Sequence, residues 1–233
     1  MRARLRRPVV LAYHGVGDAD DGAEPNRLVV SPGHLESHIR FLRARRYSFL
    51  TAGELAPNRR PAPATAVLTF DDGWRSSLTT ALPLLERLGV RATFFVTPGL
   101  WGAQHPDVEG EAGRLLDASE ARALHDAGME LGSHTLSHPD LRLLDDAELR
   151  RELEESKRSL EQLTGEPCRV FAYPYGLFDA RVERAVAAAG YDLAFAWLPG
   201  PWRALAVPRL PAPPRHGAPR LALKLVGLRR RRR

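Results

Sequence analysis

Short apolar runs alternate with longer amphipathic stretches along most of the chain. Runs rich in β-branched and aromatic residues, such as Val9–Tyr13 and Thr65–Phe70, predict buried strands. Between such runs, apolar residues recur at the three- and four-residue spacing of amphipathic helices. The pattern predicts further strands at 92–97, 129–131, 169–173 and 191–197, and helices at 34–46, 74–88, 119–127, 145–163 and 181–189. This alternation favours an α/β domain in which helices cover a mainly parallel sheet.

Two adjacent carboxylates, Asp71 and Asp72, follow the predicted strand Thr65–Phe70 directly, and Gly73 then turns the chain. They therefore lie at the carboxyl end of a strand, where ligands bind in parallel α/β folds. Adjacent carboxylates repel each other, and a divalent metal bound by one would relieve the repulsion. The other would then stay ionised as a general base. The alternative is a solvated Asp-Asp-Gly turn.

Two histidines, His134 and His138, lie four residues apart after the strand-like run 129–131. Because Pro139 disfavours helical geometry at the residue before it, we expect a loop or a single turn here. Two imidazoles and one carboxylate suit zinc, cobalt, manganese or iron, with positions left for water and substrate. Such a metal polarises a carbonyl and lowers the pKa of bound water toward about 7. A hydrogen-bonded loop without metal is the alternative.

Four sequence blocks occur in an order that identifies a family. They are Thr69-Phe-Asp-Asp-Gly73, Ala92-Thr-Phe-Phe-Val96, Gly132-Ser-His-Thr-Leu-Ser-His138 and Phe171-Ala-Tyr-Pro-Tyr-Gly176. In these blocks the chain resembles the NodB-like polysaccharide deacetylases, which are metal-dependent carbohydrate esterases. The resemblance implies a distorted, incomplete (β/α) barrel of about seven parallel strands. It also implies hydrolysis of an N-acyl bond, with an N-acylated amino sugar or oligosaccharide as substrate.

The resemblance assigns roles by position in these blocks. It implies that Asp71 is the catalytic base and that Asp72, His134 and His138 bind one divalent metal. Zinc is the first expectation for that metal, with cobalt, manganese, nickel or iron as alternatives. The backbone N–H of Tyr175 would stabilise the oxyanion, as a preplaced donor that meets charge only when the charge develops.

The sequence departs from the common family pattern at two places. Many members have an arginine before the Pro-Tyr pair, where this chain has Phe171-Ala172-Tyr173. Arg209 could replace that arginine, or it could be an ordinary surface arginine. No Leu-x-x-His occurs near the C-terminus, but the run Val9-Val-Leu-Ala-Tyr-His14-Gly-Val16 resembles a branch with the acid-bearing motif at the N-terminus. His14 would then protonate the leaving amine, unless it only stabilises the turn that follows it.

Three residues near these motifs are candidates for substrate binding. Trp101 lies in a predicted loop, 99–113, where it would either stack on a sugar or pack locally. Trp74, next to the acidic pair, and Pro174 are further candidates.

Length and charge indicate one enzyme domain between two basic segments. The 233 residues are enough for a single α/β barrel, expected at 8–222, with basic segments at 1–7 and 223–233. Net charge is +6, but four arginines in 1–7 and five in 229–233 contribute nine positive charges, so 8–228 carries −3. Residues 8–228 therefore lack the excess of basic residues that is typical of nucleic-acid-binding proteins. The run Arg229 to Arg233 would either contact anionic membrane lipid or form a disordered, solubilising tail.

Cysteine content and hydropathy suggest a location. Cys168 is the only cysteine, so no intrachain disulfide can form, which suits a reducing compartment. The apolar run 8–12 is too short for a secretion signal, and no segment is long enough to span a bilayer. We therefore expect a cytoplasmic protein, or one peripheral to the inner membrane face. There, a nucleotide-linked or lipid-linked N-acetyl sugar is a better substrate hypothesis than an exported wall polymer.

Three functions remain open from the sequence. The first is the N-deacetylase. The second is a deformylase or another hydrolase of non-peptide C–N bonds with the same fold. The third is a non-catalytic carbohydrate-binding or membrane-adaptor protein, but a binding module has no reason to keep the base and all three ligands.

Overall fold

The computed structural model of the protein describes residues 8–18, 28–55, 61–62, 64–105, 108, 110, 113–197 and 201–230, with side chains to residue 225. Its centre is a parallel sheet. Eight strands follow one another across it in the order β8-β7-β6-β5-β4-β3-β1-β9, and β2 pairs with β3 beside this path. The strands are β1 Val9–Tyr13, β2 Ser48–Leu50, β3 Thr65–Phe70, β4 Thr93–Val96, β5 Glu130–Ser133, β6 Val170–Ala172, β7 Leu193–Ala196, β8 Val207–Pro208 and β9 Leu210–Pro211.

The last two strands nearly close this sheet into a barrel. β8 pairs with β7 at one edge and β9 pairs with β1 at the other, yet only Arg209 separates them along the chain. One short segment therefore joins the two edges. The predicted distorted (β/α) barrel is confirmed, with strand pairs in parallel register throughout the described sheet.

Helices connect the strands and pack outside them. They are α1 Pro32–Ala44, α2 Leu82–Arg87, α3 Ala118–Asp126, α4 Asp146–Thr164, α5 Ala180–Ala188 and α6 Ala218–Arg230. The longest, α4, begins with a capping box at Asp145 and Glu148 and ends at Gly165, whose φ of +76° suits glycine. Before α2, the turn Ser77–Ala81 is widened to π geometry, which fits the missing N–H of Pro83 in the next turn.

Alternate strand residues supply two apolar clusters. Leu11, Leu68 and Phe94 belong to the larger cluster, which they share with helical residues such as Ile39 and Leu153. The smaller cluster fills the barrel interior. It contains Val10, Ala52, Leu55, Val67, Phe95, Val170, Ala172, Leu193, Phe195 and Val207. The buried strands thus have apolar residues on both faces, as expected for a parallel sheet covered by helices.

Some predicted boundaries differ from the structure. β1 and β3 have the predicted bounds, whereas β2, β8, β9 and α6 were not predicted. Residue 222, the expected end of the enzyme domain, lies within α6, and Leu221 is buried against the larger cluster; the domain bounds stay a prediction. Segments 1–7 and 231–233 lie outside the described residues. Over the described part of the chain, no helix has the length and hydrophobicity needed to cross a bilayer.

Candidate active site and metal centre

The carboxyl ends of β1, β3, β5 and β6 bring the candidate residues together. β1 and β3 are in register up to Tyr13 and Phe70, so His14 and Asp71 follow adjacent strands. The backbone N–H of Asp71 donates to the carbonyl of Tyr13, 2.9 Å away. This pairing places the proposed acid beside the proposed base.

Asp72, His134 and His138 form a compact set of potential metal ligands. Asp72 Oδ1 lies 3.4 Å from Nε2 of His134 and 3.4 Å from Nε2 of His138. All three ligand atoms lie within 4.8 Å of one another. Ligand atoms about 2.0–2.1 Å from zinc, at tetrahedral angles, would be about 3.3 Å apart. The spacing and the donor types therefore fit zinc or a similar divalent metal.

Hydrogen bonding and burial prepare both imidazoles to bind a cation. Nδ1 of His134 lies 2.7 Å from the carbonyl oxygen of Ala172, which leaves Nε2 as the unprotonated nitrogen of the neutral ring. Burial and the charge of His134 lower the pKa of His138 to about 4, so its ring is neutral at pH 7. Burial would also lower the pKa of His134, but contacts with Asp72 and Asp71 raise it, so a metal and a proton would compete for its Nε2.

Asp71 is buried and paired with Arg209. Arg209 Nη1 donates to Asp71 Oδ1 over 2.6 Å and to Thr69 Oγ1 over 3.2 Å. Burial alone would raise the pKa of Asp71, but the charges of Arg209, His134 and His14 outweigh it and lower this pKa. Asp71 is therefore ionised at neutral pH. The structure places Arg209 against the base, as the sequence-based hypothesis of a replacement arginine requires.

Left-handed backbone is concentrated around this site. Six non-glycine residues in the described chain have positive φ, and four belong to the site: Asp72, Thr135, His138 and Tyr175, at +57° to +72°. Such residues carry a conformational cost that the surrounding fold must offset. For His138, a hydrogen bond from its backbone N–H to Thr135 Oγ1, 2.9 Å long, helps to hold this conformation. The surrounding fold therefore holds the turns that carry these residues in conformations that non-glycine residues rarely adopt.

Tyr175 and Pro174 lie in a short 3₁₀ turn, Pro174–Gly176, after β6. The Tyr175 ring is 57% exposed and meets the His138 ring edge to face, 4.7 Å between centroids. Pro174 is buried and starts the turn. Its expected contact with substrate stays a prediction.

His14 and Trp101 occupy the surroundings of the site. The His14 ring is partly buried and packs edge-on against Trp197, 5.7 Å between centroids, at the end of β7. Trp101 is half-buried and packs against the larger core cluster, and its sugar-stacking role stays a prediction.

Trp74 contacts the acidic pair directly. Its ring is fully buried. Its indole Nε1 donates to Asp72 Oδ2 over 3.2 Å. Trp74 thus supports a proposed metal ligand, and its expected contact with substrate stays a prediction.

His105 is a site residue that the sequence did not reveal. Its Nε2 lies 3.5 Å from Asp72 Oδ2, and its ring stacks on Trp74 at 4.6 Å. Burial would raise the pKa of Asp72, but contacts with His105 and His134 hold this pKa well below its usual value. No motif or spacing marks His105, because only the path of the loop after β4 brings it to Asp72.

Known proteins with related sequences and folds include polysaccharide deacetylases. A family model described as polysaccharide deacetylase matches residues 58–194. The putative polysaccharide deacetylase YxkH of Bacillus subtilis (strain 168) is 25% identical over 195 residues, 82% of this chain and 64% of that protein. A chitin deacetylase of Pestalotiopsis sp is 32% identical over 132 residues, 56% of this chain and 41% of that protein. The chain thus spans less than two thirds of these relatives.

Solved structures agree over nearly the whole chain. The deacetylase PplD of Streptococcus pyogenes, in complex with acetate, has a TM-score of 0.80 and 25% identity, covering 94% of this chain and 98% of that one. A polysaccharide deacetylase from Bacillus cereus has a TM-score of 0.78 and 26% identity, covering 94% of this chain and 69% of that one.

The family match covers more than half of the chain and includes the acidic pair, both histidines and Tyr175. His14 and Arg209 lie outside the matched range, although Arg209 contacts Asp71 and His14 follows the strand next to it. From the four sequence blocks, the barrel and this match, the chain belongs to the polysaccharide deacetylase family.

Proposed function

We propose that the protein is a metal-dependent hydrolase that removes N-acetyl groups from an amino sugar. One observation carries this proposal: a buried, ionised Asp71, paired with Arg209, directly precedes Asp72, whose Oδ1 faces two histidine nitrogens. A base beside a His₂Asp metal set is the arrangement that hydrolysis of an unreactive amide needs.

Asp72, His134 and His138 would hold the metal. When bound, a divalent ion such as zinc polarises the acyl carbonyl and makes a water acidic near neutral pH. Cobalt, manganese, nickel or iron would fit the same donors.

Asp71 would accept the proton of the attacking water. Its carboxylate is kept ionised by Arg209, and that ion pair also fixes which oxygen is available. Arg209 uses Oδ1, so Oδ2 is the oxygen that can accept the proton. Geometry at the base is therefore set by the residue that links the two edge strands, β8 and β9.

Tyr175 and His14 would complete the reaction. The backbone N–H of Tyr175 would donate to the oxyanion as the acyl carbon becomes tetrahedral. A protonated His14 would then give its proton to the amine nitrogen, which leaves as the C–N bond breaks. His14 follows the strand next to Asp71, so acid and base would approach the scissile bond from adjacent strands.

The substrate class is a proposal drawn from relatives. Related proteins bear the names chitin deacetylase and peptidoglycan-N-acetylmuramic acid deacetylase, and the PplD structure contains acetate. These names support an N-acetylated amino sugar for this chain. They leave open whether the sugar is free, carried on a nucleotide or lipid, or part of a polysaccharide.

Product analysis would test the activity and its alternatives. The zinc-loaded protein should release acetate from N-acetylglucosamine oligomers or from nucleotide-linked N-acetyl sugars. Formate release from N-formyl substrates, without acetate release, would instead indicate a deformylase. Sugar binding without either product would support the carbohydrate-binding alternative.

Contact with an anionic membrane through Arg229 to Arg233 also remains our proposal. Eight basic residues and no acidic residue occur in 215–233, and Leu223 on α6 is exposed. Sedimentation with vesicles containing phosphatidylserine should depend on these five arginines. Equal binding after their replacement by glutamine would refute it. Cell fractionation would test the proposed cytoplasmic location.

A further inference from the structure

The two carboxylate oxygens of Asp72 have different surroundings. Oδ1 faces Nε2 of His134 and of His138, each at 3.4 Å. Oδ2 points the other way, toward Trp74 Nε1 at 3.2 Å and His105 Nε2 at 3.5 Å. Two ring nitrogens therefore hold the oxygen that does not face the other ligands.

The two rings that hold Oδ2 are themselves fixed. They stack at 4.6 Å with an interplanar angle of 28°, and Trp74 is fully buried. A separate small apolar cluster surrounds the indole and includes Val29, Val108 and Leu115. A ring packed on this scale cannot follow Asp72 if the carboxylate turns, so the indole N–H has one direction.

Backbone hydrogen bonds attach the His105 loop to the turn that carries Asp72. His105 N donates to Gly113 O over 2.8 Å, which closes the loop. Leu116 N, just beyond, donates to Gly73 O over 2.8 Å. These two hydrogen bonds thus fix the position of His105 relative to Gly73, the residue that follows Asp72.

We propose that Trp74 and His105 are positioning residues that hold Asp72 as a one-oxygen metal ligand. The terminal torsion of an aspartate is soft, so an unsupported carboxylate can rotate and present either oxygen. Hydrogen bonds to Oδ2 restrict that rotation and keep Oδ1 toward the two histidines. Partners of this kind typically change metal affinity about 10–100-fold. The inference rests on the metal site of the proposed function but not on its substrate.

The test is zinc affinity, measured by competition with a chromophoric chelator at pH 7. Trp74→Phe removes the indole N–H and keeps an aromatic ring, and His105→Ala removes the second nitrogen. We expect each variant to bind zinc about 10–100-fold more weakly than the parent. His105→Gln, whose amide nitrogen can reach the position of Nε2 and still donate, should recover part of the loss. His125→Ala, on α3 away from the site, is the histidine control and should bind zinc as the parent does.

A second readout separates positioning from loss of fold. The absorption spectrum of cobalt bound in place of zinc should change in Trp74→Phe, because the spectrum reports ligand geometry, while metal-free melting shows that the variant is folded. Zinc affinity within twofold of the parent in both folded variants, with an unchanged cobalt spectrum, would overturn the inference. A parent that binds no zinc would overturn both this inference and the proposed function. Zinc binding without acetate release would remove only the proposed activity.

Discussion

Replacement of Arg209 by methionine removes a cation that directly contacts the proposed base. In the structure, the Arg209 side chain is fully buried, and its Nη1 lies 2.6 Å from Asp71 Oδ1. Methionine keeps an unbranched side chain in the apolar interior near Phe95 but cannot donate to the carboxylate. The variant therefore leaves a buried carboxylate without its principal partner.

The expected cost follows from this burial. Removing one member of a buried ion pair typically lowers the free energy of unfolding by about 3–5 kcal/mol, because the other charge is left uncompensated. In a chain of this length each kcal/mol corresponds to about 2–4 °C in Tm, so the variant should melt about 6–20 °C lower at pH 7. Asp71→Asn removes the uncompensated charge. Arg209→Met should therefore lower the free energy of unfolding by less in the Asp71→Asn protein than in the parent.

The pH dependence has a definite sign. In the parent the pKa of Asp71 is lowered, so its contribution to stability is present at neutral pH and is lost as pH falls through that pKa. Without Arg209, burial raises this pKa, and the carboxyl group is then more stable when protonated. The stability deficit of the variant should therefore shrink toward acid pH. The acidic limb of its kcat/KM profile should move to higher pH, because the base is protonated over a wider range.

Urea unfolding at pH 7 and pH 5, together with acetate release against pH, would measure these effects on zinc-loaded protein. Arg209→Lys is the matched control, because it keeps the charge while losing the planar fork, and it should fall between parent and Arg209→Met. The reasoning would be refuted by an Arg209→Met protein that loses less than about 1 kcal/mol and keeps the parent pH profile.

Three further outcomes are expected. Gly15→Ala should lower activity and should lower the free energy of unfolding by about 1–3 kcal/mol. The reason is that the new Cβ would lie 2.9 Å from the buried Trp74 ring and displace the turn that carries His14. Kinetics and urea unfolding would check both effects. Leu153→Ala, in the core beneath α4, should lower the free energy of unfolding by about 2–5 kcal/mol in urea. Removal of metal with a chelator should abolish acetate release and lower Tm, and added zinc should restore both; an unchanged Tm would argue against a bound metal.

The sequence predicted the parts of this molecule that local pattern controls. Thr65–Phe70 is apolar and β-branched, and the structure forms a strand over those residues. The family resemblance implied that Asp72, His134 and His138 share one site, and their ligand atoms do lie together in the structure. Their chemical roles, and that of Asp71, remain predictions for experiment.

Features that depend on long-range packing could not be predicted in the same way. β8 and β9 have two residues each and both contain proline, so they have no strand signal until the sheet edges meet around Arg209. Trp74 is beside the acids in sequence, but only the fold shows that it is buried beneath them. No helix was predicted around the arginine-rich segment, yet α6 forms over Ala218–Arg230 and Leu221 packs against the larger cluster.

One paired measurement tests the central claim that Asp71 acts as base beside a metal held by Asp72, His134 and His138. Zinc content and acetate release would be determined for the parent, Asp71→Asn and His134→Gln after identical metal loading. We predict one zinc and turnover in the parent, zinc without turnover in Asp71→Asn, and neither in His134→Gln. Full turnover in Asp71→Asn, or stoichiometric zinc in His134→Gln, would contradict the account.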